Sequence, residues 1–202
     1  MTRSSGFTLL ELLVALTIFS MLTVLSLPAI MNATGRLRLA MAAQEVVSAM
    51  RTARFQAIRN SANVALKFRT GPGGNTEFAL YADGDGDGVL SRDIQSGVDR
   101  LLGSPRRATS FSRRAHIGFP PGPLPRDPGS PSRRLSAGDA VRFNQSDMAS
   151  FSPLGGATPG SIYLTDGRRQ VVVVRVLNRT GRVRVLYYDP DRQIWRKSWG
   201  AD

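Results

Sequence analysis

The densest chemistry in this chain is Asp83-Gly-Asp-Gly-Asp87-Gly88, three carboxylates at alternate positions in a run of glycines. Carboxylates so spaced match the acidic half of a calcium loop, whose oxygens replace part of the ion's hydration shell. The carbonyl of Val89, then Ser91 and Asp93, stand where further ligands would come from. The last position, where such a loop offers a bidentate Glu, is Ile94, and Asp93 falls one residue early. Asp-Gly repeats also make tight turns unaided, so a structural calcium and a plain turn are both open. A second group is Gly181-Arg182-Val183-Arg184, where strand geometry sends both guanidinium groups to one side. With Arg168, Arg169, Arg175 and Arg179 close in sequence, they form a candidate DNA-contacting surface that would track phosphates. The plainer reading is a hairpin whose solvent face is basic. The third feature is a single charge, Glu11, near the start of an apolar run that lasts to Met31.

Catalytic chemistry finds little to work with. The chain has one His and no Cys, no phosphate-binding glycine loop and no His-based metal spacing. His116 precedes a Gly-Phe-Pro turn and reads as a strand-end residue. The Asp cluster suits a cation or a turn better than proton transfer. An enzyme is not expected, and apart from calcium no cofactor is. Without Cys, no disulfide or thiolate metal site forms.

A carboxylate in hydrocarbon costs a few kcal/mol unless it is neutralised or paired, so a plain anchor has no use for Glu11. The apolar run Phe7–Met31 is about 25 residues, and at roughly 1.5 Å each it outspans a hydrocarbon core of roughly 30 Å. A secretory signal has a shorter apolar core, about 7–15 residues, and is cut after it. Arg36 and Arg38 follow the span while only Arg3 and the amino terminus precede it. That bias alone would leave the large domain in the cytoplasm. The balance of 27 basic against 15 acidic residues gives +12. All the basic residues but Lys67 and Lys197 are Arg. Such charge attracts DNA, acidic lipid or acidic proteins, and also fits Arg-rich solvated loops.

The elements that would position these groups follow from periodicity. Leu39, Ala43, Val46, Met50, Ala53 and Ala57 recur at helical spacing, with Gln44, Ser48, Arg51 and Arg59 on other faces. One long helix is predicted from about Thr8 to Asn60, bent at Pro28 and weakened at Asn32-Ala-Thr-Gly35. The pattern divides it into a membrane part, 7–31, and an amphipathic continuation, 32–60, that packs on a domain over 61–202. Strands are predicted at Val64–Arg69, Glu77–Ala82, Arg100–Gly103, His116–Phe119, Val141–Asn144, Ser161–Thr165, Gln170–Leu177 and Arg182–Tyr188. Turns at Gly71-Pro-Gly-Gly-Asn75 and Asn178-Arg-Thr-Gly181 mark two hairpins. The fold class is α+β with a largely antiparallel sheet. Between 120 and 134, Pro120, Pro121, Pro123, Pro125, Pro128 and Pro131 interleave with Gly, Ser and Arg. This Pro/Arg-rich segment reads as an extended surface loop that does not pair into a sheet.

The leader Met1-Thr-Arg-Ser-Ser-Gly6, the Gly6-Phe7 junction and Glu11 resemble the processing site of type IV pilins and type II secretion pseudopilins. Three further stretches resemble the branch uniting minor pseudopilin H of type II secretion with related minor type IV pilins. They are Ala53-Arg-Phe-Gln-Ala-Ile-Arg-Asn60, the Asp-Gly turn after Tyr81, and Phe151-Ser-Pro-Leu-Gly155 followed by Gly181-Arg-Val-Arg-Val185. The resemblance implies a pilin-like fold, with 1–6 as a prepilin leader. A prepilin peptidase would cut between Gly6 and Phe7, and Phe7 would be N-methylated. Glu11 would neutralise that new amine on a neighbouring subunit during filament assembly. It further implies a single-pass inner-membrane protein with its domain in the periplasm, overriding the charge bias. The implied partners are other pseudopilins or pilins and an inner-membrane assembly platform. Protein export and a minor pilin role in pilus priming or DNA uptake are both compatible with it.

Overall fold

The computed structural model describes residues 8–71, 76–109, 115–144, 146–177 and 180–198. Gly6 and Phe7, most of the turn at 71–75, and Asn178 and Arg179 lie outside the described residues. A single helix, α1, spans Leu9–Asn60 and continues through Pro28 and Gly35. The chain divides into two compact units at Leu37/Arg38. In the first unit every described residue up to Thr34 is exposed. This stretch makes α1 long and apolar enough to cross a membrane.

In the second unit, α1 is followed by β1 (Val64–Thr70), β2 (Thr76–Ala82), α2 (Ser91–Ser96), β3 (Arg100–Leu101), β4 (Arg106–Arg107) and β5 (His116–Ile117). Then come β6 (Arg126–Asp127), β7 (Ser130–Arg134), β8 (Val141–Arg142) and β9 (Met148–Phe151). The chain ends in β10 (Gly160–Thr165), β11 (Val171–Leu177), β12 (Arg182–Asp189) and β13 (Ile194–Arg196). Among the described residues one sheet runs β3-β2-β1-β9, with β4 also on β2. A second runs β13-β12-β11-β10-β5, with β8 also on β10, and every pairing is antiparallel.

The six residues picked out by helical spacing, Leu39, Ala43, Val46, Met50, Ala53 and Ala57, are all fully buried. They meet Val64 and Leu66 of β1, Phe151 of β9, and Ile162, Leu164, Val172 and Val174 of the second sheet in one core. Both sheets are also covered on their far faces. Strand alternation puts Phe78, Leu80 and Ala82 in the main core and Ala79 and Tyr81 in a second cluster, closed by Val89 and Ile94. Likewise Tyr163, Val171, Val173, Leu186 and Trp195 face a third cluster, closed by Phe119, Leu124 and Leu135. Burial on both faces explains why Val171–Val174 reads as an unbroken apolar run.

The cover of the third cluster is the Pro/Arg-rich segment, and here the structure corrects the expectation of an unpaired surface loop. β6 and β7 form a hairpin with a register shift, pairing Arg126 with Arg134 and Asp127 with Ser130. No ladder pair falls on Pro131, so its missing N–H interrupts nothing. Trp195 Nε1 donates to the Arg126 carbonyl at 2.8 Å, and Asp127 accepts from Arg142 at 3.3 Å and from the Tyr163 hydroxyl at 3.4 Å. The Arg175 guanidinium lies where any side chain at Gly129 would stand, a Cβ there coming within 2.2 Å of Nη2.

Candidate functional site

At the start of α1, Thr8 and Glu11 form a reciprocal cap. Glu11 Oε2 accepts from the Thr8 N–H at 2.9 Å and from its hydroxyl at 3.0 Å, and the Glu11 N–H donates to Thr8 Oγ1 at 3.3 Å. This is a capping box, Thr-x-x-Glu before an apolar run, which satisfies helix N–H groups that otherwise lack partners. The signal was in the sequence as Thr8-Leu-Leu-Glu11. The carboxylate is therefore held within its own chain, through one oxygen.

The structure brings Asp83, Asp85 and Asp87 together, with one oxygen of each within 4.8 Å of the others. Asp83 is buried and accepts four bonds. Asn63 Nδ2 donates at 2.8 Å, and the N–H groups of Gly86, Gly88 and Asp85 donate at 2.7, 3.0 and 3.3 Å. Burial pushes its carboxyl up, but the Asn63 amide and these N–H groups outweigh it and hold the group below the usual aspartate range. Partial desolvation and the adjacent Asp85 push Asp87 the other way. Arg92 reaches into the cluster, 2.8 Å from Asp87 and 3.3 Å from Asp93.

Two of the other expected calcium ligands have partners of their own. Asp93 is turned to Arg92, and Ser91 accepts from Lys67 Nζ at 3.0 Å. The Val89 side chain is buried, and Ile94 packs beside it. The three Asp side chains are grouped, while Asp93 and Ser91 each have another partner.

A residue the sequence did not single out organises the same loop. Asp99 is 2 % exposed and accepts from the N–H of Gly84 at 3.2 Å and of Leu90 at 2.9 Å. Its own N–H donates to the Asp93 carbonyl at 3.1 Å. The loop closes tightly over it, since a Cβ on Gly84 would stand 2.1 Å from the Val98 carbonyl. No local pattern marks Asp99, because the N–H groups it serves are far from it in sequence.

Arg182 and Arg184 are exposed, on the face of β12 opposite Val183 and Val185. Arg175 stands directly across from Arg184 on β11. Arg168 and Arg169 do not join them. They follow Thr165 at the end of β11 that starts with Val171, whereas Arg182 pairs with Leu177 at the other end, roughly 20 Å away at about 3.3 Å per residue. Arg169 is instead paired with Asp191. The basic face is thus smaller than sequence proximity suggested.

Two family models match this chain. The model of the prokaryotic N-terminal methylation motif matches residues 1–27, and that of the type II transport protein GspH matches residues 42–181. The chain belongs to the GspH family. Its long apolar helix and antiparallel sheets are the pilin-like α+β fold of that group. The GspH-family chain is anchored in the inner membrane by its single apolar segment, with the C-terminal domain in the periplasm. Neither a curated protein nor a solved structure matches it.

Asp83 gives the domain a defined response to acid. Its native pKa is depressed, so its stabilisation is complete above the unfolded value of about 3.9 and is lost as pH falls through the native value. The melting temperature of the full chain in detergent should therefore fall as pH drops below about 4, with a flatter fall in Asp83→Asn. Asp99→Ala leaves the part-buried N–H groups of Gly84 and Leu90 without an acceptor and should cost roughly 1–3 kcal/mol at neutral pH in urea unfolding.

Proposed function

We propose that this chain is a minor pseudopilin that joins a short periplasmic filament driving protein export through a type II secretion system. The observation that carries the reading is the pair of family matches, one at the anchor and one across most of the domain. The family is one of structural subunits, and the chain acts by position rather than by chemistry on a substrate. A prepilin peptidase removes the leader between Gly6 and Phe7, and Phe7 is then N-methylated. The missing side chain of Gly6 suits close approach by the peptidase. Glu11 then receives the methylated amine of a neighbour, engaged with other pseudopilins on the inner-membrane assembly platform. One oxygen of Glu11 is committed to Thr8, so the second oxygen is the one assigned to that amine. In low dielectric an unpaired charge there is costly and a paired one is short-range and specific.

The capping box makes this role separable from simple helix capping. Gln at the same position keeps the cap but carries no charge. Glu11→Ala and Glu11→Gln should both cut filament incorporation and substrate export at least tenfold while the domain melts normally. Wild-type export by Glu11→Gln would reduce the residue to a cap. Loss of Gly6 should leave the leader on, read by mass spectrometry of the membrane fraction.

A second reading, a minor type IV pilin in pilus priming or DNA uptake, draws on Arg182 and Arg184, both exposed on one face of β12. Two guanidinium groups on one strand face could contact phosphates. Under this reading, Arg182→Ala with Arg184→Ala abolishes a salt-dependent gel shift by the full chain. No shift at low salt removes it.

For the Asp loop we propose calcium as an accessory ligand of Asp83, Asp85 and Asp87, with the Val89 carbonyl and Asp93 as further oxygens. The convergence of the three carboxylates and the crowding at Asp87 support it. Arg92 has to leave Asp87 and Asp93 for the ion to enter. Millimolar calcium should raise the melting temperature of the full chain, and more so in Arg92→Ala. No change in either would leave an aspartate-capped turn.

A further inference from the structure

After β9 the chain turns back along the strand, and an open hollow of about 530 Å³ lies over this return. Strand alternation decides what faces it. Phe151 bridges to Ala157 across the turn, and the Thr158 N–H donates to the Ser150 carbonyl at 2.9 Å. Phe151 belongs to the main core, so Ser150, Ser152, Gly156 and Thr158 take the other side. They line the hollow with Asn63, just before β1, and Asn144, after β8. Much of their bonding capacity is unspent. The side chains of Ser150, Thr158 and Asn144 have no hydrogen-bond partner among the described residues. Ser152 Oγ accepts from the Gly156 N–H at 3.0 Å and keeps its own hydrogen to donate. Asn63 Nδ2 is committed to Asp83, which leaves Oδ1 to accept. None of the described lining residues carries a charge, in a chain of net charge +12. The Arg54 guanidinium comes close to Gly155 and is not part of the lining.

We propose that this hollow is a binding site for an uncharged saccharide. Its hydroxyl and amide groups both donate and accept, which is what sugar hydroxyls require. An anion finds no cation there and a cation no carboxylate. An apolar ligand would leave the polar groups unpaired at a cost. Water held by such groups is replaced bond for bond by a sugar. The volume falls within the roughly 300–1,000 Å³ of small-ligand sites. A pyranose ring also presents a flat C–H face, and apolar surface is at hand for it. Ala157 and Pro159 are part of the lining. Leu154, 97 % exposed, rises from the turn between Ser152 and Gly156. That turn is closed by the Gly155 N–H on the Ser152 carbonyl at 3.0 Å, which holds the leucine at its tip. The periplasmic placement of the domain brings two sources within reach, the N-acetylated glycan of the cell wall and free oligosaccharide.

The full chain, in a detergent without a sugar headgroup, is titrated by calorimetry with an N-acetylglucosamine tetramer and with a glucose tetramer. At least one should bind, with the same affinity at low and high salt because no charge is paired. Ser150→Ala with Thr158→Val removes hydroxyls that bond nothing else described in the chain. This double variant should lose roughly tenfold or more in affinity while melting as the wild type does. Asn144→Gly removes the amide but keeps the left-handed backbone at φ 54°, and should weaken binding likewise. Ser104→Ala, on an exposed loop, is the control and should bind normally. Sedimentation with purified cell-wall sacculi at high salt separates the sources. Co-sedimentation that the double variant loses assigns the wall glycan, whereas oligosaccharide binding without it assigns a soluble saccharide, and both uphold the site. No binding of either tetramer, salt-dependent binding, or unchanged affinity in the double variant overturns it. So does tighter binding of tetraglycine than of either sugar, which makes the hollow a peptide site.

Discussion

The domain depends on how closely α1 approaches two sheets at once. Ala42, Ala43, Ala53 and Ala57 are completely buried, and alternate along the helix with Leu39, Val46 and Met50. Small residues let the backbone come near, and the larger ones reach between strands, so a single helix face serves residues from β1, β2, β9, β10 and β11. Interiors at this density tolerate little change in volume. That is visible again at Gly160, where a Cβ would fall 2.1 Å from the Phe143 ring. The sheets share one core because the helix is thin enough for both to reach it.

With their inner faces on the helix, both sheets need covers for the outer ones, and two loops supply them. The Asp-Gly loop and α2 close one with Val89 and Ile94. The hairpin of β6 and β7, with its flanking residues, closes the other. Each cover is pinned by carboxylates that accept backbone or side-chain donors, Asp83 and Asp99 on one side and Asp127 on the other. Buried polar groups persist only where they are bonded, and these are. The aspartates that look most like metal ligands therefore also have structural work. Arg92, already a cation in that cluster, partly offsets its charge.

Residues 38–60 of α1 build the domain and the apolar stretch holds the membrane, on one helix. Its start is closed by Thr8 and Glu11, so the one charge in the apolar stretch is also what satisfies its first turn. A structural subunit of this kind has its function written on surfaces rather than in a pocket.

Much of this was legible along the chain. Spacing alone identified the six buried residues from Leu39 to Ala57, and the valine run at 171–174 marked a strand, while its cover on both faces was seen only in the fold. Periodicity reports burial because side-chain direction repeats with the backbone. Thr8-x-x-Glu11 was equally local, though the charge drew attention before the cap. What the sequence could not disclose was which distant groups would meet. Asp99 matters because the N–H groups of Gly84 and Leu90 are left over when the loop closes. The proline-rich segment pairs because Pro131 falls off the ladder and Trp195 waits to bond it. Arg168 and Arg182, close in sequence, stand at opposite ends of one strand. Local pattern determined the anchor, the helix and the strands β1, β2, β10, β11 and β12. Only the tertiary fold decided the partners, because a hydrogen bond between remote residues depends on which donors the rest of the chain has left unsatisfied.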